Sequence, residues 1–151
     1  MKRYLLFIAV CLIITSRAFA QTPEKLHALF QTEELNYEDA AVFVLEAVDI
    51  YDGSLPQDGF KAAAEKNWLP KKAQGGDMAR LDGVSLLIMK AFNFKGGVLY
   101  SVFQSPHYAY RELQYKKIIE GRTTGAMAVS GELLFFMVGR TLQQLEERNQ
   151  Q

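Results

Sequence analysis

Two histidines, His27 and His107, and a set of carboxylates are the side chains in this sequence best suited to catalysis or metal binding. Glu24 stands three residues before His27 and can share a helical face with it, which makes two ligands where a metal site needs three or four. Glu33-Glu34 and Glu38-Asp39 are adjacent along the chain, whereas acids that divide general-acid and general-base work face each other across a cleft. There is no serine, histidine and aspartate set in a recognisable context, no glycine-rich phosphate loop and no cluster of cysteine or histidine. What remains is non-covalent recognition, so the expectation is a binding protein with no catalytic residues, no cofactor and no metal.

The N-terminus carries the sharpest signal. Lys2 and Arg3 precede an apolar run over residues 4–15, and Ala18-Phe19-Ala20 is the small-x-small pattern that signal peptidase cuts. The run is shorter than the roughly 20 residues a membrane-spanning helix needs. Lipidation at Cys11 fits poorly, because Val10 precedes it and only half the apolar run lies before it. Residues 1–20 are therefore expected to be a signal peptide cleaved after Ala20, which places the mature chain in the periplasm or cell envelope with no transmembrane segment.

Cleavage would remove Lys2, Arg3 and Arg17, leaving 14 basic against 17 acidic side chains. That mildly acidic balance argues against a nucleic-acid partner, which requires a basic patch to neutralise phosphates. Cys11, the one cysteine, would also be lost, so the mature chain has neither disulfide nor thiol nucleophile. About 130 residues are enough for one domain held by core packing alone.

The elements that must position any site are helical. A polar leader over residues 21–35 includes a possible short helix. From Asn36, a natural N-cap followed by Glu38 and Asp39, the apolar residues Ala40, Phe43, Val44, Ala47 and Val48 trace one helical face. Asp52-Gly53-Ser54 and Pro56 break the chain. A second helix is expected over about 57–67 with Phe60, Ala63 and Ala64 inward, and a third over about 81–92 with Leu81, Val84, Leu87, Ile88 and Ala91 on one side. Residues 98–103 are apolar, branched and aromatic but have no evident strand partner, and are expected to form an extended connector. Ser105 and Pro106 open a helix over about 107–117 as N-cap and first helical residue. A last helix over about 131–147 turns Leu134, Met137, Val138, Thr141, Leu142 and Leu145 inward.

Laid out this way, residues 60–92 align without a gap on 110–142, at an offset of 50. Phe60 pairs with Tyr110, Leu69 with Ile119, Gly75 with Gly125, Asp82 with Glu132 and Lys90 with Arg140. The expected architecture is all-α, with repeated helix-loop-helix units packed as a small bundle over 36–148: a half unit at 36–50 and units at 56–92 and 105–145. One unit cannot bury its apolar stripe alone, so the units must pack on one another.

His107-Tyr108-Ala109-Tyr110, then Ile118-Ile119-Glu120-Gly121, then an acidic residue opening an apolar helix that ends near Arg140, resembles the S-layer homology module. That family reads His-Trp-Ala-Tyr, Gly-Ile-Ile-x-Gly and Thr-Arg-Ala-Glu. The last box stands here as Leu35-Asn36-Tyr37-Glu38, Ala79-Arg80-Leu81-Asp82 and Val129-Ser130-Gly131-Glu132. Its acid is kept three times, its arginine survives as Arg80, and its threonine is absent. The resemblance covers roughly residues 36–145 and implies a pseudo-threefold helical bundle that binds cell-wall polysaccharide in grooves between modules.

On that basis the candidate ligand-binding residues are Arg80, Trp68, Lys71, Lys72 and Arg122. Trp68 is either a platform for a sugar ring or a core residue at a helix end, and the three other cations either meet an anionic substituent or belong to solvated loops. The implied partner is a cell-wall glycan. The alternative is an envelope protein, in a protein-interaction or assembly role, met by the aromatic stretch 100–115 or packed by it into the core. A homo-oligomer is compatible with either.

Overall fold

The computed structural model describes residues 23–51 and 55–150; the expected signal peptide and the break at 52–54 lie outside them. Seven helices occupy the described residues: α1 (Pro23–Phe30), α2 (Tyr37–Ala47), α3 (Pro56–Glu65), α4 (Leu81–Ala91), α5 (Val98–Phe103), α6 (Pro106–Tyr115) and α7 (Gly131–Asn149). The fold is all-α. None of these helices is long and apolar enough to cross a membrane.

Local chemistry sets the helix starts. Asn36 accepts the Asp39 amide at 2.8 Å, Ser105 accepts that of Tyr108 at 3.5 Å and Ser130 accepts that of Leu133 at 3.2 Å, each satisfying an N–H that has no partner within its helix. Pro56 and Pro106 fill first-turn positions where a missing N–H costs nothing. α3 and α6 begin 50 residues apart, as do α4 and α7.

Packing pairs each short helix with a long helix that is not the next in the chain. α3 lies on α2, α6 on α4, and α1 on α7. Behind each short helix, a carbonyl seats the N-terminus of the long helix it covers. Glu38 N–H donates to Gly75 O at 3.0 Å, Asp82 N–H to Gly125 O at 2.9 Å, and Gly131 N–H to Thr32 O at 2.9 Å. At Gly131 the approach is so close that a Cβ would stand 1.8 Å from Leu29 O, so only glycine fits.

These junctions meet in a closed ring of backbone hydrogen bonds. Leu35 N–H donates to Val129 O (2.9 Å), Val129 N–H to Ala79 O (2.9 Å) and Ala79 N–H to Leu35 O (2.7 Å). All three residues are buried, so the ring satisfies polar groups that water cannot reach. α4 runs through the centre, with Leu81 and residues 83–89 buried on every side. Ser85 and Thr141, the buried serine and threonine among the described residues, donate to Leu81 O at 2.6 Å and Met137 O at 2.8 Å.

Three expectations are corrected. Residues 98–103 form α5, not an extended connector: without a strand to pair with, the backbone satisfies itself, Ser101 N–H donating to Gly97 O and Gln104 N–H to Tyr100 O. Ala64 is exposed, because Gly59 and Ala63 form the buried face of α3 and Gly59 comes within contact of Val42. Leu142 is also exposed, while its neighbour Thr141 takes the buried position on α7.

Candidate ligand-binding groove

The N-terminus of α4, the outer face of α6 and the loop after α6 enclose a groove of about 370 Å³. Backbone pairing fixes the loop, Leu81 and Asp82 donating to Met127 O (2.8 Å) and Gly125 O (2.9 Å). Gly125 packs closely here: a Cβ would lie 3.0 Å from that of Asp82, so a larger residue would have to push the two segments slightly apart.

One wall comes from α6, where His107, Tyr110, Arg111 and Gln114 follow helical spacing and share a face. The Tyr110 hydroxyl donates to Thr123 O at 2.7 Å and accepts from Gln114 Nε2 at 2.7 Å, with Thr123 Oγ1 2.9 Å away. This network locks the loop to the helix and presents amide and hydroxyl groups at the groove. Asp82 forms the opposite wall, and its Oδ2 is held 2.8 Å from the Arg80 guanidinium. α4 has no side-chain N-cap, and Arg80, in the capping position, spends its side chain on Asp82. The groove thus offers hydrogen-bond donors and acceptors on both walls with Arg111 at its rim, an arrangement that fits a hydroxylated or anionic ligand.

The five residues singled out from sequence divide between two junctions. Arg80 and Arg122 flank the groove, Arg122 preceding Thr123 and exposed. Trp68, Lys71 and Lys72 belong to the loop that seats α2, whose Tyr37 and Glu38 amides donate to Asp77 O and Gly75 O. Trp68 is partly buried against the core, and Lys66 Nζ stands 5.4 Å over its ring, so that face already carries a cation. Lys71 and Lys72 are exposed.

Sequence reasoning set His107 aside as a metal ligand or catalytic residue and left Arg111, Gln114, Thr123 and Thr124 unassigned. The available signal was a polar stripe at 107, 111 and 114 on a helix whose other face is apolar. The aromatic stretch 100–115 splits: Tyr100 and Tyr110 are buried, whereas Phe103 and Tyr115 are exposed.

A second cleft, about 460 Å³, lies between α1, α2 and the start of α3. Its walls are mainly apolar, Leu29, Leu35, Val42, Phe43 and Pro56, with Lys25 and Glu46 3.7 Å apart. The smaller groove is lined mostly by polar side chains, among them Asp82, Arg111, Gln114 and Thr123. Among the described residues no three His, Cys, Asp or Glu side chains come together to hold a metal ion. No family model, curated protein or solved structure matches this chain.

Proposed function

We propose that this chain is an exported, non-catalytic binding module of the cell envelope that holds cell-wall polysaccharide or a glycan linked to peptidoglycan. The observation that carries this reading is the groove within the α4–α6 pair, where Gln114, Thr123, Asp82 and Arg111 present hydrogen-bonding groups on facing walls where the 56–92 and 105–145 sequence units meet. The S-layer homology resemblance supports it by implying ligand grooves between modules, and the signal-peptide pattern of residues 1–20 supports it by implying export.

The test is cosedimentation of the chain from Gln21 onward with purified cell-wall sacculi. Wild type should pellet; Arg111→Ala should weaken binding about tenfold, the effect of losing a charge-assisted hydrogen bond, and Arg80→Ala should weaken it less, by releasing the Asp82 carboxylate that it positions. If wild type stays in the supernatant, the glycan reading fails and an envelope protein becomes the partner to seek.

A further inference from the structure

α5 is held firmly at one side and bare at the other. Tyr100 is buried, and Gly96 accommodates its ring, since a Cβ there would lie 2.6 Å from Tyr100 Cδ1. Ser101 Oγ donates to Gly97 O at 3.0 Å, and Gln104, in the left-handed region at φ 42°, closes the helix with its side chain bonded to Lys90 Nζ. The four remaining apolar residues point outward: Val98 is 80% exposed, Leu99 58%, Val102 69% and Phe103 58%. They occur at i, i+1, i+4 and i+5, so they line one helical face. Phe103 leans on Tyr108, the rings stacked with centroids 5.1 Å apart.

The surroundings of this face are positive. Lys90, Lys95, Lys116 and Arg148 stand at or beside its base, against the two carboxylates Glu112 and Glu147. Glu112 is paired with Lys116 at 3.4 Å. Lys90 reaches the C-terminal end of α5, Lys95 precedes its N-terminal end, and Arg148 joins Lys116 over the ring of Phe94 beside Lys95. A convex apolar ridge with a cationic base matches a lipid surface, where apolar side chains enter the acyl boundary and lysines meet anionic headgroups. A symmetric contact between two copies through this ridge would set Lys95 and Lys90 of each against the other's, a like-charge juxtaposition.

We propose that α5 is a membrane-contacting wedge, with Val98, Leu99, Val102 and Phe103 entering the surface of an anionic bilayer and the flanking lysines holding its headgroups. The wedge lies outside the groove residues, so one molecule can use both surfaces. The chain from Gln21 onward contains every described core residue and omits the apolar N-terminal run, which would itself bind lipid.

The experiment is sedimentation of that chain with sucrose-loaded vesicles of phosphatidylglycerol and phosphatidylcholine, and with phosphatidylcholine alone. Glycan-free vesicles keep the result independent of the groove. Wild type should pellet with anionic vesicles and much less with neutral ones, and Val102→Asp and Lys95→Glu should each weaken binding about tenfold. Both positions are exposed, and matching far-UV spectra and melting curves verify that the variants fold. Failure of wild type to pellet with anionic vesicles overturns the proposal, as does binding that survives Val102→Asp. So does a concentration-dependent dimer that Val102→Asp dissociates, which would assign the ridge to a second copy, or capture of one envelope protein by wild type without vesicle binding.

Discussion

Tyr100 ties α5 to the core through a single side chain. Burial, and then the nearby Glu112 carboxylate, push its phenol from 10.0 up to about 12. Below pH 10 the folded and unfolded chains both keep this proton. Between about 10 and 12 the unfolded chain releases it while the folded chain retains it, so stability falls as pH rises through that window. Tyr100→Phe removes the contribution. Comparing urea midpoints at about pH 9 and about pH 11 should show a smaller alkaline loss in the variant than in wild type. A residual slope from Tyr37 remains, whose phenol is also raised, chiefly by burial. At the same scale, Arg140 illustrates a role that residue type alone does not disclose: it donates to Ile118 O at 3.0 Å and Glu120 Oε2 at 2.9 Å, clamping the turn after α6 onto α7.

Helix ends show how elements are terminated without glycine. After α2, α3, α4 and α6 the chain turns through a left-handed residue: Asp49, Asn67, Asn93 and Lys117. Asp and Asn tolerate that region because their short polar side chains bond locally, whereas lysine has no such compensation. Lys117 sits at φ 56°, and the turn is closed by Ile118 N–H donating to Leu113 O at 2.9 Å. Lys117→Gly should therefore stabilise the protein by about 1 kcal/mol, the strain relieved exceeding the added freedom of the unfolded chain. A rise in melting temperature of about 2–4 °C would register it. Asn93→Gly, at a position that already suits its residue, should change stability by only a few tenths of a kcal/mol.

The whole molecule depends on the backbone ring of Leu35, Ala79 and Val129. Each segment donates to one neighbour and accepts from the other, so removing one donor leaves a buried carbonyl unpaired and loosens the junction of all three helix pairs. Val129→Pro deletes the N–H that serves Ala79 O. The expected cost is about 3 kcal/mol, read as a lowered denaturant midpoint with most helical signal retained in water. A midpoint within error of wild type would show that the ring is incidental to stability.

The all-α class, the caps at Asn36 and Ser105, the breaks between helices and most inward residues were legible in the sequence, because periodicity and capping are fixed within a few residues of chain. The pairing of helices was not: an apolar stripe states that it will be buried, and says nothing of which distant stripe buries it. Only tertiary structure set α3 on α2, α6 on α4 and α1 on α7. It also decided that 98–103 is helical, since a short apolar run adopts whichever conformation satisfies its backbone in place. The groove divides in the same way. Arg80 and Arg122 were visible as isolated cations, but Asp82 and Thr123 become facing walls only when the loop after α6 folds back onto the start of α4, through hydrogen bonds between residues more than forty positions apart.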